Sequence, residues 1–366
     1  MTLTDKTYEL MKEFAPVAGE LLLMQRGSVV NIGKDDPNII HSGEDPSGAY
    51  LTVMDLLIQD AFLKRLHDVN PQARVNVEED TELVRSFSPK EGEPCTVHQD
   101  PIDGTKSYTK GESELFSTGY AISNQDNDFT HTVVYAPARG RIMYTASPDG
   151  FEIYRCRVEG VPDISDAIEE LGRTSSHVKR TALAKRIALQ ELTGGEGDSV
   201  DMRAIYKNLG EIQALEELER EISDKRGLYN NLVGEIASIE ADVTADTIGV
   251  ADLGTQSRKV IYEKRSLAED RKSVLEDMGY EISSMGCAHL RVIDVALGEQ
   301  SAFLYGGSNP HDSMIPFTFA AKLEAQLVDM TGNPITGKDM VVTTSHGITK
   351  FERLPFVGYF SGNNEH

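Results

Sequence analysis

A mixed α/β fold is what this sequence predicts, on three observations. Apolar residues recur at helical spacing near the N-terminus and again after Thr52, and short alternating runs between and beyond them read as strands. A content of 39% hydrophobic and 7% aromatic residues describes a globular chain. With 366 residues there is room for one large α/β unit or two smaller ones.

The first helix is expected from Lys6 to about Gln25, with Tyr8, Leu10, Met11, Phe14, Leu21 and Leu22 at helical spacing. Asn31 to Gly48 is rich in Gly, Pro, Asp and Asn and reads as a loop. A second helix is expected from Thr52 or Val53 to His67, with Leu56, Leu57, Ala61, Phe62 and Leu66 on one side. Arg74 to Glu78 alternates like a strand and ends in acids, and Cys95 to His98 is a short strand-like run. Strands follow around Leu115–Ile122, Thr130–Tyr135 and Arg141–Tyr144.

Composition changes near Thr193, where Gly194-Gly-Glu-Gly197 breaks the pattern and a charged, helix-prone stretch begins. Leu215, Ile222, Tyr229 and Ile236 recur at heptad spacing, with Leu218, Leu232 and Ile239 at the complementary positions and Lys225 interrupting. A second charged helix is expected from about Ser257 to Asp277, so that residues 193–269 form a helical coiled-coil hairpin packed mainly on itself. Arg291–Leu297 and Ser301–Tyr305 return to a compact pattern, and a final helix runs from near Asp312 to about Leu327. The chain thus divides into an N-terminal α/β portion (1–192), the insertion (193–269) and a C-terminal α/β portion (270–366).

A net charge of −23 argues against a nucleic-acid polymer as partner, because a phosphate backbone needs a basic footprint. A small anion stays compatible, since bound divalent cations invert the local potential. Apolar runs such as Leu21–Met24 are too short to cross a bilayer, and Met1–Lys6 has no signal-peptide pattern, so a cytoplasmic location is expected. Cys95, Cys156 and Cys287 are odd in number and far apart, which fits neither a disulfide framework nor a zinc site.

The chemistry concentrates in Asp100-Pro-Ile-Asp-Gly-Thr105. Pro101 fixes one φ, Gly104 permits a close approach, and on such a turn Asp100 and Asp103 can converge on a hard cation. The amides of Gly104 and Thr105 would face a phosphate if a helix begins there. Glu78, Glu79 and Asp312 sit at element ends and could complete a multi-metal site. The string alone is equally compatible with an Asx-type turn, and Asp55 or Asp312 alone with a helix cap. The spacing excludes an EF-hand loop and a haloacid-dehalogenase nucleophile.

These residues, taken together and in order, resemble the inositol monophosphatase superfamily, which includes bisphosphate nucleotidases and fructose-1,6-bisphosphatases. Leu51-Thr-Val-Met-Asp55 is similar to its Val-Thr-x-x-Asp element, Val77-Glu-Glu-Asp80 to its Gly-Glu-Glu element, and Asp100–Thr105 to its central signature. Met285-Gly-Cys-Ala288, Asp294-Val-Ala-Leu-Gly298 and Asp312 follow its later landmarks. The resemblance implies a layered α/β/α/β/α sandwich and a magnesium-dependent phosphomonoesterase acting on a small phosphorylated metabolite. It implies that Glu78, Asp100 and the Ile102 carbonyl hold one Mg2+, and that Asp100, Asp103 and Asp312 hold a second, with Glu79 available to a weaker third position. Asp55 and Thr105 would orient and deprotonate the attacking water, while the Gly104 and Thr105 amides hold the phosphate. Magnesium-dependent turnover and inhibition by lithium are expected on the same grounds.

Lys106-Ser-Tyr108 looks like the variant found in 3′(2′),5′-bisphosphate nucleotidases, which points to adenosine 3′,5′-bisphosphate as substrate, with Lys106 read equally as a partner for a second phosphate or as a solvated lysine. His311 stands where a Trp commonly precedes the last metal Asp and is a candidate substrate contact; for it, as for His289 and His177, a structural histidine is the commoner alternative. Inositol or a sugar phosphate is the alternative substrate class. A reading of another class makes the protein a scaffold, with the coiled-coil insertion pairing protomers in a homodimer or recruiting a partner.

Overall fold

The structure, a computed structural model, describes residues 1–29, 50–79, 81–89, 95–111, 113–171, 224–254, 258–264, 269–283, 286–308, 310–329, 332–336, 342–345, 348–351 and 354–360. The loop expected over Asn31–Gly48, together with Asp80, His177, Leu215, Leu218 and Ile222, lies outside them.

The chain opens with helix α1 (Leu3–Gln25), capped by a reciprocal pair between Thr2 and Asp5. Helix α2 (Val53–Val69) begins with the same device, using Thr52 and Asp55. Next come β1 (Arg74–Val77), β2 (Thr96–Asp103), the short helix α3 (Thr105–Lys110), β3 (Ser117–Ser123), β4 (Phe129–Ala136), β5 (Ile142–Ser147) and β6 (Gly150–Glu159). Helices α4 (165–171) and α5 (224–238) flank the part of the insertion outside the described residues. They are followed by β7 (Asp242–Ile248), β8 (Arg258–Lys264), α6 (Glu269–Asp277), β9 (Glu281–Ser283), α7 (Ala288–Ala296), β10 (Gln300–Ser308) and α8 (Pro310–Lys322). Strands β11 (Gln326–Val328), β12 (Val342–Ser345), β13 (Ile348–Phe351) and β14 (Leu354–Phe360) complete the chain.

Among the described residues the strands form two sheets, in the orders β12-β13-β1-β2-β3-β4-β5-β6-β7 and β11-β14-β10-β8-β9. Side-chain alternation along the strands sets the layers. On β3 and β4, Tyr120, Ile122, Val133 and Tyr135 join the core with Phe14, Leu21 and Phe62 of α1 and α2. Ala121, Val134 and Ala136 point to the opposite face, against Ile293 of α7 and Phe319 of α8. On β10, Phe303 and Tyr305 turn towards α7 and α8, whereas Ala302 and Leu304 turn towards Leu275 of α6. Helix pair, large sheet, helix pair, small sheet and single helix make the α/β/α/β/α sandwich. Asp294 of α7, fully buried, is gripped by Arg139 after β4 at 2.5 and 3.1 Å, by Arg291 at 3.0 Å and by Gln300 of β10 at 3.1 Å. One carboxylate thereby ties the large sheet to the layers behind it.

The insertion departs from the expected helical hairpin. Residues 242–248 pair antiparallel with β6 along the edge of the large sheet, and residues 258–264 lie between β10 and β9. Helix α5 does form, but Leu232, Ile236 and Ile239 are buried in the core of the large sheet rather than against a second arm. Heptad spacing there serves burial on the body, so these positions offer no partner seam. The last helix begins two residues before Asp312 and ends at Lys322, because the chain re-enters the small sheet at Gln326. Among the described residues, no helix is long and apolar enough to cross a membrane.

Candidate active site

The Asp100–Thr105 segment is not a free turn. It is the end of β2, where the pairing with β3 slips between Asp100 and Asp103, so an extra stretch bulges out of the ladder. Pro101 lies in that bulge, where its missing N–H costs no ladder bond. Gly104 follows at φ 87°, and a Cβ there would stand 2.6 Å from the Leu115 carbonyl, so only glycine fits before α3 starts at Thr105.

The bulge aims carboxylates at one point. Ligand oxygens of Asp100, Asp103 and Asp312 all lie within 4.8 Å of one another. Asp100 and Asp103 are buried, at 1% and 4% exposure. Asp312 comes from the first turn of α8, and Tyr305 of β10 donates its hydroxyl to Asp312 Oδ2 at 2.8 Å. Burial pushes the Asp100 carboxyl well above the usual carboxylate range, reinforced by the negative charges of Glu78, Asp103, Asp312 and Asp55. Asp100 Oδ1 is buried without a hydrogen-bond partner. An orphaned buried carboxylate oxygen inside a cluster of acids fits a hard divalent cation, which would relieve both the desolvation and the repulsion.

Beside the cluster, the Thr105 hydroxyl donates to the Ile102 carbonyl at 2.8 Å and stands 3.5 Å from Asp55 Oδ1. The other Asp55 oxygen accepts from the Thr52 amide and hydroxyl, both at 2.7 Å. Asp55 is therefore a helix cap and a site residue at once, its two oxygens divided between the tasks. Glu78 is half-buried at the end of β1, and its charge acts on Asp100 from outside the 4.8 Å group. Glu79 is held by its backbone: Gln59 of α2 donates to its carbonyl at 2.7 Å and accepts from its amide at 2.9 Å. Lys106 is exposed, with Nζ 5.9 Å from the centre of the Tyr50 ring. The side chain of His311 lies outside the described residues.

Sequence reasoning did not give His289, Tyr305 or Gln59 a part in the site. His289, left open between a structural histidine and a substrate contact, donates its amide to Asp103 Oδ2 at 2.6 Å and brings its ring near Asp100. Its position directly after the Met285–Ala288 landmark was the available signal. Gln59 carried none, because only the fold brings it near the acids.

The family model described as the inositol monophosphatase family matches residues 4–205, which hold Asp55, Glu78 and the whole Asp100–Thr105 segment. The chain belongs to the inositol monophosphatase family. As a family member it is a metal-dependent phosphatase, a phosphoric monoester hydrolase. The inositol monophosphatase of Thermotoga maritima is similar in structure, with a TM-score of 0.53 and 15% identity over 99% of this chain and 93% of that one. Staphylococcal inositol monophosphatase-1, solved as an inhibitory complex soaked in lithium chloride, matches with a TM-score of 0.53 and 15% identity over 99% and 92%. The extragenic suppressor protein SuhB from Bartonella henselae follows at 0.52 and 14%, over 97% and 94%. At these identities the solved structures bear on the fold, and they share the layered sandwich. No curated protein sequence matches the chain.

Proposed function

We propose that this phosphatase hydrolyses a 3′(2′),5′-bisphosphate nucleotide, converting adenosine 3′,5′-bisphosphate to AMP. The observation that carries the phosphatase chemistry is the convergence of Asp100, Asp103 and Asp312 within 4.8 Å, with the Thr105–Asp55 pair alongside. In this reading Glu78, Asp100 and the Ile102 carbonyl hold one Mg2+, Asp100, Asp103 and Asp312 hold a second, and Glu79 serves a weaker third. Bound Mg2+ supplies positive charge to the phosphate oxygens and lowers the pKa of water.

The protein's own groups do the rest. Asp55, its Oδ2 fixed by Thr52, offers Oδ1 and the Thr105 hydroxyl to orient the attacking water and take its proton. The Gly104 and Thr105 amides, freed by the left-handed turn at Gly104, receive the phosphate oxygens. In this reading Lys106 and His311 serve as substrate contacts.

The nucleotide choice rests on Lys106 and Tyr50. A cation beside an aromatic ring at the edge of the site suits a substrate carrying a second phosphate and a base that stacks. A solved structure of similar fold, described as an IMPase/NADP phosphatase complexed with NADP and Ca2+, carries an adenine nucleotide in this architecture (TM-score 0.53, 14% identity). The second reading, an inositol or sugar phosphate, is favoured by the family match itself. Phosphate release from adenosine 3′,5′-bisphosphate, myo-inositol 1-phosphate, fructose 1,6-bisphosphate and NADP distinguishes them. Highest kcat/KM on the first is expected, and preference for either inositol or sugar ester overturns the nucleotide assignment. Lithium is expected to inhibit turnover.

A further inference from the structure

We infer that His289 is a positioning residue that orients Asp100, its Nε2 facing one carboxylate oxygen so that the other is presented to the cation. The inference rests on the reading of the acid cluster as a metal centre.

Four observations lead to it. The ring of His289 is fully buried, with Nε2 3.6 Å from Asp100 Oδ2 and Nδ1 3.2 Å from the Ser117 hydroxyl. Its backbone amide donates to Asp103 Oδ2 at 2.6 Å, so one residue addresses both acids of the bulge. Asp100 Oδ1, on the side away from that contact, has no hydrogen-bond partner. Finally, the ring has been given its space: Gly119 of β3 sits opposite Asp100 in the ladder. A Cβ at Gly119 would fall 2.4 Å from His289 Cε1 and 2.8 Å from Nδ1.

If Ser117 donates to Nδ1, the ring proton resides on Nε2 and faces Asp100 Oδ2. At 3.6 Å this contact is longer than a hydrogen bond, so the Nε2–H acts on Oδ2 through its charge and leaves Oδ1 as the oxygen presented to a cation. This is how a neighbouring group outside the coordination shell tunes a metal ligand, with effects of about 10–100-fold on affinity when it is lost. A histidine that only filled space would need the glycine across the sheet but neither polar approach of its ring.

The test is Mn2+ binding followed by electron paramagnetic resonance, independent of turnover, with circular dichroism and thermal melting of the chelated protein as controls. The wild type is expected to bind and Asp100→Asn to lose most of its affinity. His289→Leu and Gly119→Ala should each weaken binding about tenfold or more while the metal-free melt stays cooperative. His289→Gln, which keeps a donor at the reach of Nε2, should stay within about threefold of wild type. Wild-type affinity in a folded His289→Leu protein overturns the inference, as does an equal loss in the Gln and Leu variants, which would mean packing alone. Should His289→Leu fail to fold, wild-type affinity in folded Gly119→Ala overturns it instead. Absence of Mn2+ binding in the wild type overturns the metal-centre reading as well. Binding that is lost in Asp100→Asn but intact in His289→Leu overturns only the role of His289.

Discussion

The Tyr229 hydroxyl donates to Asp60 Oδ2 at 2.7 Å, and the Thr81 hydroxyl donates to the other oxygen of the same carboxylate. Asp60 lies on α2, five residues after Asp55, so helix α5, the helix bearing Asp55 and the segment following Glu79 meet at one acid. Burial raises the Asp60 carboxyl above its usual range despite both hydrogen bonds. Tyr229→Phe should therefore destabilise the protein by about 1.5–3 kcal/mol, the range for a hydrogen bond to a charged group. Urea unfolding would measure it, and an unchanged midpoint would contradict the contribution.

Removal of residues 193–269 bears on what the insertion is. If that stretch were a self-contained helical arm, the remainder would fold without it. It instead contains β7, the inner strand β8 and the buried Leu232, Ile236 and Ile239. The deletion should abolish cooperative thermal unfolding, and a truncated protein that melts cooperatively would refute this placement.

The raised carboxyl of Asp100 gives the metal-free protein a pH dependence of definite sign. Its folded pKa lies above its unfolded one, so the folded state holds more protons between the two values. Stability of the chelated protein should then fall as pH rises from the ordinary carboxylate range through the folded pKa, and stay low above it. Asp100→Asn should flatten that slope, raise the melting temperature of the chelated protein at neutral pH and abolish turnover. Melting in chelator across pH would check it; a lower melting temperature for the variant at neutral pH would contradict it.

Tyr305→Phe removes the donor that holds Asp312 and leaves the ring in place. The Mg2+ concentration for half-maximal activity should rise about tenfold, with kcat at saturating Mg2+ little changed. A fall in kcat alone would place Tyr305 in the chemical step instead.

Thr105→Val should do the reverse. With the hydroxyl between Asp55 and the Ile102 carbonyl gone, kcat should drop about 10²–10⁴-fold, as for loss of a proton-transfer group. Mn2+ affinity should be kept, which separates this variant from those of the acids.

Much of this was legible in the sequence. The helices α1 and α2 declared themselves by apolar period and cap, and the acids by their order along the chain. What escaped was decided by distant partners. Arg258–Lys264 is charged enough to read as helix, yet Val260 and Ile261 are buried because β10 and β9 pair on either side. Asp100–Thr105 read as a turn, since a bulge exists only relative to the β3 strand beside it. His289 stayed open between packing and substrate contact because its meaning depends on a glycine 170 positions earlier, at Gly119.

The acids reach the site from α2, β1, β2 and α8, so Asp55 and Asp312 are separated by most of the sequence. During synthesis the first of them emerges long before the last, and contacts of such separation are slow to form. A fragment that stops before Asp312 cannot bring that acid to Asp100, so a chain of that length lacks the three-carboxylate cluster. Assembly of the acid cluster therefore waits on the folding of the strands and helices that lie between Asp100 and Asp312 in the sequence.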